Sequence, residues 1–398
     1  MWSTRWEATS STKSPSNKTN RFGRGHPASP ASTEMTDRYQ EFRDLAQRLG
    51  VDAVALVPGP NFTRLMNKSF HSHERPLVLM IPAEGPVAAV VPNLELGSWA
   101  MLNFEGEVFD WRDQVGYKDA FTALAAHLPL SSVAVEGQVM RVFVHHALAA
   151  AYPGLSIVDA EKAISGLRLC KNASEIAALE KAIRISEAAL EDVLQGVRVG
   201  DTEKAVEGRL IQALFAHGAE GMAFGPIVAA GDNSARPHAS ARSDYAVRAG
   251  DAFLFDFGAT WGGLCADITR TVFVGEPSKE AEEVYATVLA ANLAGHAVTR
   301  PGATAHDVDD AVTSVLEASP YADRIRTKTG HGLGRAVHEA PYIMRGNHET
   351  LAPGMVFTNE PGLYRIGSFG VRIEDDVLVT ETGSRCLTTF PKDLRVVG

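Results

Sequence analysis

Two aspartates, Asp256 and Asp267, lie eleven residues apart on either side of a short turn-like segment. The flanking residues are rich in β-branched and aromatic types, so the pattern predicts a β-hairpin. With Trp261 and Gly262 as a two-residue loop, the two residue numbers of every cross-strand pair add up to 523, so the two aspartates lie directly opposite each other. Opposed Cβ atoms are about 4.5–5.5 Å apart, so two carboxylates there repel each other. Either one carboxyl is protonated or a cation lies between them, and a divalent metal is favoured. The alternative is a solvated hairpin whose acidic residues happen to align.

Three further candidate ligands follow, each in a short run of glycine, proline or β-branched residues: His331, Glu360 and Glu374. The two glutamates flank a turn-like segment centred on Gly367 and are predicted as a second facing pair, although Pro361 interrupts the ladder. Four carboxylates and one imidazole are too anionic for one ion. They suit two divalent cations about 3.5–4 Å apart. Carboxylate ligands favour harder ions, so Mn²⁺ or Co²⁺ is expected ahead of Zn²⁺.

In chain order, the motifs Asp-x10-Asp, Gly-His-Gly-x-Gly, Asn-Glu-Pro-Gly and Arg-Ile-Glu-Asp resemble the metallopeptidases of the pita-bread fold. That family includes Xaa-Pro dipeptidase (prolidase), aminopeptidase P and methionine aminopeptidase. The resemblance implies Asp256 and Asp267 on a first metal, with Asp267 bridging. It implies His331 and Glu360 on a second metal, with Glu374 bridging.

Two other histidines, His238 and His338, match the same family pattern. In similar enzymes these histidines lie beside the metals, steady the tetrahedral intermediate and contact the substrate, whereas a histidine taken alone is more often structural. The counterpart of Glu360 takes the proton from the attacking water. Arg372 lies two residues before Glu374, so on a strand it shares that face and is predicted to orient a ligand carboxylate. The alternative is a surface arginine that balances the neighbouring aspartates.

The anchor for a substrate carboxylate is open at this stage. The polar segment 70–75 ends in Arg75 and predicts either a surface loop or a loop that reaches an active site, its own or a dimer partner's. An arginine suits this role because its planar fork can bind a carboxylate with two hydrogen bonds. Arg345 is a second predicted anchor, and Arg335 and Arg365 compete with it.

Three segments are predicted along the chain. Residues 1–34 are rich in serine, threonine and proline with little aliphatic content, so we expect a disordered extension without the apolar core of a signal peptide. Residues 35–160 alternate helix-like and strand-like runs, which predicts an α/β domain. It resembles the N-terminal domain of prolidases, aminopeptidases P and creatinases. Methionine aminopeptidases lack this domain, which argues against that activity. Residues 161–398 are the predicted pita-bread catalytic domain, so the whole chain is expected to be α+β.

The start of the catalytic half holds a helix that is predicted to be capped by Asn172 or Ser174. A weak internal repeat follows, because Thr202 and Thr304 lie in similar segments, each a turn followed by a helix cap, 102 residues apart. One interpretation of this repeat is that the catalytic domain has two similar halves with a metal site at their junction. The other is that a common capping motif occurs twice.

Composition limits the other functions. The net charge of −10 argues against binding to nucleic acid or an anionic membrane surface. The apolar runs fall short of the ~20 residues that span a bilayer. The three cysteines are widely spaced without a CxxC motif, so a disulfide framework and a thiolate zinc site are not indicated, and a reducing cytoplasm fits.

The resulting prediction is a two-metal prolidase that cleaves before a C-terminal proline of a small peptide and is a homodimer by resemblance. The first alternative is an aminopeptidase P that acts on longer Xaa-Pro peptides, although the compact N-terminal domain favours a dipeptidase. A creatinase-like enzyme without metal and a non-catalytic scaffold share the fold, but neither needs the complete ligand set.

Overall fold

The protein is described here by a computed structural model that covers residues 37–71 and 73–398. The predicted extension 1–34 therefore lies outside the described residues, and the domain boundary near residue 160 stays a prediction. Within the described part of the chain, no helix is both long and apolar enough to cross a bilayer.

The N-terminal part is built around a six-stranded mixed sheet of order β4-β3-β2-β1-β5-β6. Its strands are β1 (Ala53–Leu56), β2 (Val78–Pro82), β3 (Ala88–Pro92), β4 (Glu107–Trp111), β5 (Ser132–Val135) and β6 (Ser156–Asp159). The four central strands are buried on both faces, which explains their continuous apolar sequences. The edge strands β4 and β6 are more exposed and carry acidic residues.

Helices cover both faces of this sheet. They are α1 (Gln40–Leu49), α2 (Pro60–Met66), α3 (Leu96–Trp99), α4 (Lys118–His127) and α5 (Val142–Ala151). Helices α1 and α2 pack on the face that carries Val54 and Leu56, while α4 and α5 pack on the face that carries Ala53 and Ala55. This division follows from the two-residue period of a strand. Residues 93–102 form a series of short helical turns that includes α3.

The C-terminal part contains two packed helix pairs. After α6 (Glu161–Ser165), the first pair is α7 (Ala173–Gly196) with α8 (Glu203–Ala216), and the second is α9 (Lys279–Val298) with α10 (Ala305–Glu317). Asn172 caps α7 through a capping box with Glu175, which resolves the choice between Asn172 and Ser174. Thr202 and Thr304 cap α8 and α10 as predicted.

The candidate site is carried by two groups of strands, one that follows α8 and one that follows α10. The first group is β7 (Gly221–Met222), β8 (Ile227–Ala230), β9 (Ala252–Phe257), β10 (Ala259–Trp261), β11 (Leu264–Cys265) and β12 (Ile268–Val274). The second is β13 (Gly330–Gly332), β14 (Glu339–Ile343), β15 (Val356–Asn359), β16 (Gly362–Tyr364), β17 (Gly370–Arg372), β18 (Asp375–Val379), β19 (Ser384–Cys386) and β20 (Val396–Val397). They form the sheets β20-β12-β9-β8 and β14-β13-β15-β18-β19, the small sheet β11-β10-β7 and the hairpin β16-β17. The mixture of helices and mainly antiparallel sheets agrees with the predicted α+β class.

The hairpin that carries the two aspartates has a different register from the predicted one. The two residue numbers of each cross-strand pair add up to 525 rather than 523, so Asp256 lies opposite Thr269. The prediction that Asp256 lies directly opposite Asp267 is therefore wrong. The loop is Gly262-Gly263, and both residues have the positive φ that a type I′ turn requires. A shift of two positions keeps each side chain on its original face, because side chains alternate with a period of two. Asp256 and Asp267 therefore still share a face, as a diagonal pair.

Candidate metal centre

The two hairpin aspartates meet where the ladder is interrupted. A Cβ at Gly258 would lie 1.6 Å from the carbonyl oxygen of Ala266, so this close backbone approach requires glycine. Asp256 and Asp267 are both buried, and an Oδ1 atom of each has no hydrogen-bond partner among the described residues. An unpaired carboxylate oxygen in a buried site is costly, and a cation would satisfy both.

His331 lies on the short strand β13 between two glycines that the packing requires. A Cβ at Gly330 would lie 1.8 Å from the carbonyl oxygen of Thr358, and one at Gly332 would lie 2.1 Å from that of Ala340. His331 Nδ1 lies 3.1 Å from the Gly332 carbonyl oxygen, which leaves Nε2 directed at the carboxylates. Nε2 lies 3.3 Å from Glu360 Oε1. Burial lowers the pKa of His331 to about 3, so the imidazole is neutral near neutral pH and can bind a metal.

Glu360 and Glu374 lie just beyond the ends of the β16–β17 hairpin. Gly362 pairs with Arg372, so the turn is centred on Gly367 as predicted. The Thr358 hydroxyl donates to Glu360 Oε1 at 3.1 Å. Hydroxyl donors that hold these carboxylates fix which oxygens remain free to face the centre of the cluster.

The five predicted ligands come together in the structure. One ligand atom from each of Asp256, Asp267 and Glu374 lies within 4.8 Å of the others. The same holds for His331, Glu360 and Glu374. Glu374 belongs to both groups, which is the arrangement expected of a carboxylate between two cations.

The electrostatics of this cluster also fit bound cations. Burial raises the pKa of Asp267 well above its usual range, and the charges of Glu374 and Asp256 raise it further. Burial likewise raises the pKa of Glu374 well above its usual range and that of Glu360 to about 7. Four neighbouring carboxylates cannot all ionise without compensating positive charge. The residues present therefore fit a pair of divalent metal ions.

Arg372 is buried and touches a candidate ligand directly. Its Nη2 donates to Asp256 Oδ2, its Nε donates to the Thr269 hydroxyl at 3.0 Å, and its Nη1 donates to the Tyr364 hydroxyl at 2.8 Å. The same Thr269 hydroxyl donates to Glu374 Oε2. Arg372 thus holds the carboxylate of Asp256, a candidate ligand, in place, and its burial shows that the alternative of a surface arginine is wrong.

A cavity of about 380 Å³ opens onto these ligands. His238 and His338 line it, and the ring centroids of His338 and His331 are 4.0 Å apart. Burial lowers the pKa of His338, and the positive charge of Lys328 lowers it further. The apolar part of the wall is formed by Phe224, Ile227, Pro237 and Val337.

The structure does not bring the predicted carboxylate anchors into this cavity. Arg75 pairs with Asp113 at 2.8 Å in an exposed loop, and Arg345 pairs with Glu317 at 2.7 Å. The two competing arginines are also engaged elsewhere, Arg335 with Glu175 and Arg365 with Glu280. Within one chain, none of these arginines lines the cavity.

Sequence reasoning missed two residues that the structure places at the site. Lys328 lines the cavity, and the hydroxyl of Tyr364 accepts a hydrogen bond from the guanidinium of Arg372. The sequence signal for Lys328 is its position three residues before His331. No sequence signal singled out Tyr364, because its contact depends on how the β16–β17 hairpin folds over β9 and β12.

Comparison with known proteins agrees with the architecture. The model of metallopeptidase family M24 matches residues 177–381, and the model of the creatinase/prolidase N-terminal domain matches residues 38–170. The chain belongs to metallopeptidase family M24, so it is a peptidase with a creatinase-type N-terminal domain and a pita-bread catalytic domain. The predicted family and fold class are thereby confirmed.

Three relatives illustrate the similarity. A probable dipeptidase PepE of Mycobacterium tuberculosis is 34% identical over 352 residues, which cover 87% of this chain and 92% of the relative. The prolidase structure from Thermococcus sibiricus has a TM-score of 0.87 at 33% identity, covering 92% of this chain and 100% of that chain. The X-Pro aminopeptidase structure from Thermotoga maritima has a TM-score of 0.79 at 31% identity, covering 91% and 99%.

Proposed function

We propose that the protein hydrolyses Xaa-Pro dipeptides with two divalent metal ions, cleaving the imide bond before a C-terminal proline. The observation that carries the proposal is the convergence of four carboxylates and one neutral imidazole on one cavity. The printed names of similar proteins, a prolidase and a probable dipeptidase, support the substrate class.

The ligands are proposed as Asp256, Asp267, His331, Glu360 and Glu374. When bound, two divalent cations supply an acidified water and polarise the carbonyl of the scissile bond. Glu360 accepts the proton of the attacking water and returns it to the leaving nitrogen. His238 and His338 donate hydrogen bonds to the substrate from the cavity wall, and Arg372 keeps Asp256 oriented.

The cavity wall suits a proline in the leaving position. The imide nitrogen of an Xaa-Pro bond carries no N–H, so the pocket cannot recognise the bond through a donor on the substrate. Recognition therefore depends on the shape and apolar character of the ring. The cavity offers Phe224, Ile227, Pro237 and Val337 for contact with it.

Three accompanying properties are part of the same proposal. Mn²⁺ is the expected metal, because four of the five ligands are carboxylates and these favour harder ions, with Co²⁺ or Zn²⁺ as alternatives. A homodimer is expected by resemblance to the family. A cytoplasmic location agrees with the three cysteines, all of which are free thiols.

An aminopeptidase that acts on longer Xaa-Pro peptides is the second candidate. A groove of about 690 Å³ shares His338 with the cavity and runs along Tyr342, Met344 and Asn347, so it offers room beyond a dipeptide. The similarity to the X-Pro aminopeptidase of Thermotoga maritima also favours this candidate.

The test is hydrolysis of Gly-Pro, Ala-Pro and Ala-Pro-Ala by metal-stripped protein, with and without added Mn²⁺ or Co²⁺. Metal-dependent cleavage of the dipeptides alone supports the dipeptidase. Cleavage of the tripeptide as well moves the assignment to the aminopeptidase, and no cleavage with either metal contradicts both. Asp267→Asn should abolish activity and lower the metal content, whereas Asp244→Asn, a change at an exposed aspartate, should alter neither.

A further inference from the structure

Lys328 is a cation in the candidate active site that the ligand pattern does not explain. It is exposed and lies three residues before His331, in the segment that leads into β13. It lines the same cavity as the five candidate metal ligands. Its Nζ lies 5.7 Å from the centre of the Tyr342 ring, which is within the range of a cation–π contact.

The charge of Lys328 is not used by an acidic side chain of the protein. Among residues 37–71 and 73–398, no carboxylate oxygen lies within ion-pair distance of its ammonium group. The other cation of the cavity wall, Arg372, is buried and already donates to Asp256, Thr269 and Tyr364. Lys328 is therefore the cavity cation that remains available to a ligand.

The charge balance of the site favours an anionic ligand group at this position. Two divalent cations would compensate the four carboxylates of Asp256, Asp267, Glu360 and Glu374. Arg372 and Lys328 then leave the site positive before substrate enters. An anionic group of the substrate beside Lys328 would offset one of these charges.

We propose that Lys328 binds the free C-terminal carboxylate of the substrate and thereby determines specificity for dipeptides. This inference rests on the proposed function. In a dipeptide the carboxylate follows the scissile bond by one residue, a distance of about 3.5 Å along an extended chain. A lysine suits this role because its compact charge on a flexible stem can follow the carboxylate as the leaving residue settles against the apolar wall. A longer peptide presents a neutral amide there and leaves the ammonium group without an anion.

The experiment compares wild type with Lys328→Met on Ala-Pro and on its C-terminal amide, Ala-prolinamide, in the metal-loaded enzyme. Loss of one charged hydrogen bond should raise KM for Ala-Pro about 10- to 100-fold. Because the C-terminal amide group of Ala-prolinamide is neutral, the KM for this substrate should change less than about 2-fold by the same reasoning. Lys328→Arg, which keeps the positive charge, should have a KM for Ala-Pro close to that of wild type. Lys279→Met removes an exposed lysine of α9 that pairs with Glu283 at 3.8 Å, and it should change neither substrate's KM.

A binding measurement gives a readout independent of turnover. By calorimetry, metal-loaded wild type should bind the product L-proline more tightly than L-prolinamide, and Lys328→Met should lose this preference. An unchanged preference, together with an unchanged ratio of KM values, overturns the role of Lys328 while the proposed function stands. Failure of metal-loaded wild type to cleave Ala-Pro overturns the proposed function and the role of Lys328 with it.

Discussion

Replacing Glu339 by glutamine should destabilise the protein strongly, although the two side chains have nearly the same shape. Glu339 Oε2 accepts from Arg168 Nε at 2.9 Å, and Oε1 accepts from Lys171 Nζ at 2.5 Å. The side chains of Glu339, Arg168 and Lys171 are 3%, 8% and 2% exposed, respectively, so the amide would leave two buried cations without their shared anion.

The magnitude follows from this burial. Breaking a buried ion pair by removing one partner typically costs about 3–5 kcal/mol, because the other charge stays buried. Arg168 keeps a weaker partner, since its Nη1 lies 3.8 Å from Glu136 Oε1. We therefore expect a loss near the lower bound, about 3 kcal/mol. The consequence reaches the candidate site, because Glu339 directly follows His338.

The assay is urea unfolding followed by tryptophan fluorescence, with the free energy of unfolding taken from the midpoint and slope. Glu317→Gln is the matched control, because Glu317 pairs with Arg345 on the surface and its loss should cost below about 1 kcal/mol. In Glu339→Gln/Lys171→Met, removal of both charges should recover about 1–3 kcal/mol relative to the sum of the single changes. A cost for Glu339→Gln no larger than that of Glu317→Gln would refute the reasoning.

Three further predictions concern the metal centre. In metal-free protein, burial raises the pKa of Glu360 to about 7. The contribution of protonated Glu360 to the free energy of unfolding is fully present below the unfolded pKa of about 4.3 and is lost as pH rises through about 7, so the urea midpoint should fall between pH 5 and pH 8. Added Mn²⁺ should abolish this fall, because the metal binds the ionised carboxylate. Gly330→Ala should lower metal content and stability, because its Cβ would lie 1.8 Å from a backbone oxygen; Gly208→Ala, in a helix with free space around it, should stabilise by about 0.5–1 kcal/mol, and equal urea midpoints for the two variants would contradict this. Arg372→Lys should weaken metal affinity about 10- to 100-fold by freeing Asp256; equilibrium dialysis that gives the wild-type affinity would argue against that role.

The accuracy of the sequence predictions varied with the kind of contact. The turn centred on Gly367 was predicted correctly, because Glu360 and Glu374 lie near the ends of one short hairpin. The Asp256–Asp267 hairpin was predicted with a register two positions off, because Trp261-Gly262 and Gly262-Gly263 are both possible loops. The choice depends on the positive φ of both glycines.

The side chains that contact the ligands were harder to predict from sequence. Local patterns identify a residue type and its neighbours, but an ion pair joins residues that are distant in the chain. Arg345 is a predicted anchor, but it pairs with Glu317, which lies 28 residues earlier in the chain. Lys328 lies in the cavity and has no acidic partner among the described residues, and its sequence neighbours do not indicate either property.

The sequence by itself determined the candidate chemistry of this protein: five candidate metal ligands of three residue types in a fixed order, glycines that allow close backbone approach around His331, and the alternation that predicted the N-terminal α/β part. These features are local, because strand period, turn preference and ligand type are properties of short segments. Only the tertiary structure decided which cation faces the cavity of the candidate site and which arginines pair with acidic residues elsewhere. Those outcomes depend on the packing of segments far apart in the chain, and that packing sets distance, burial and charge together.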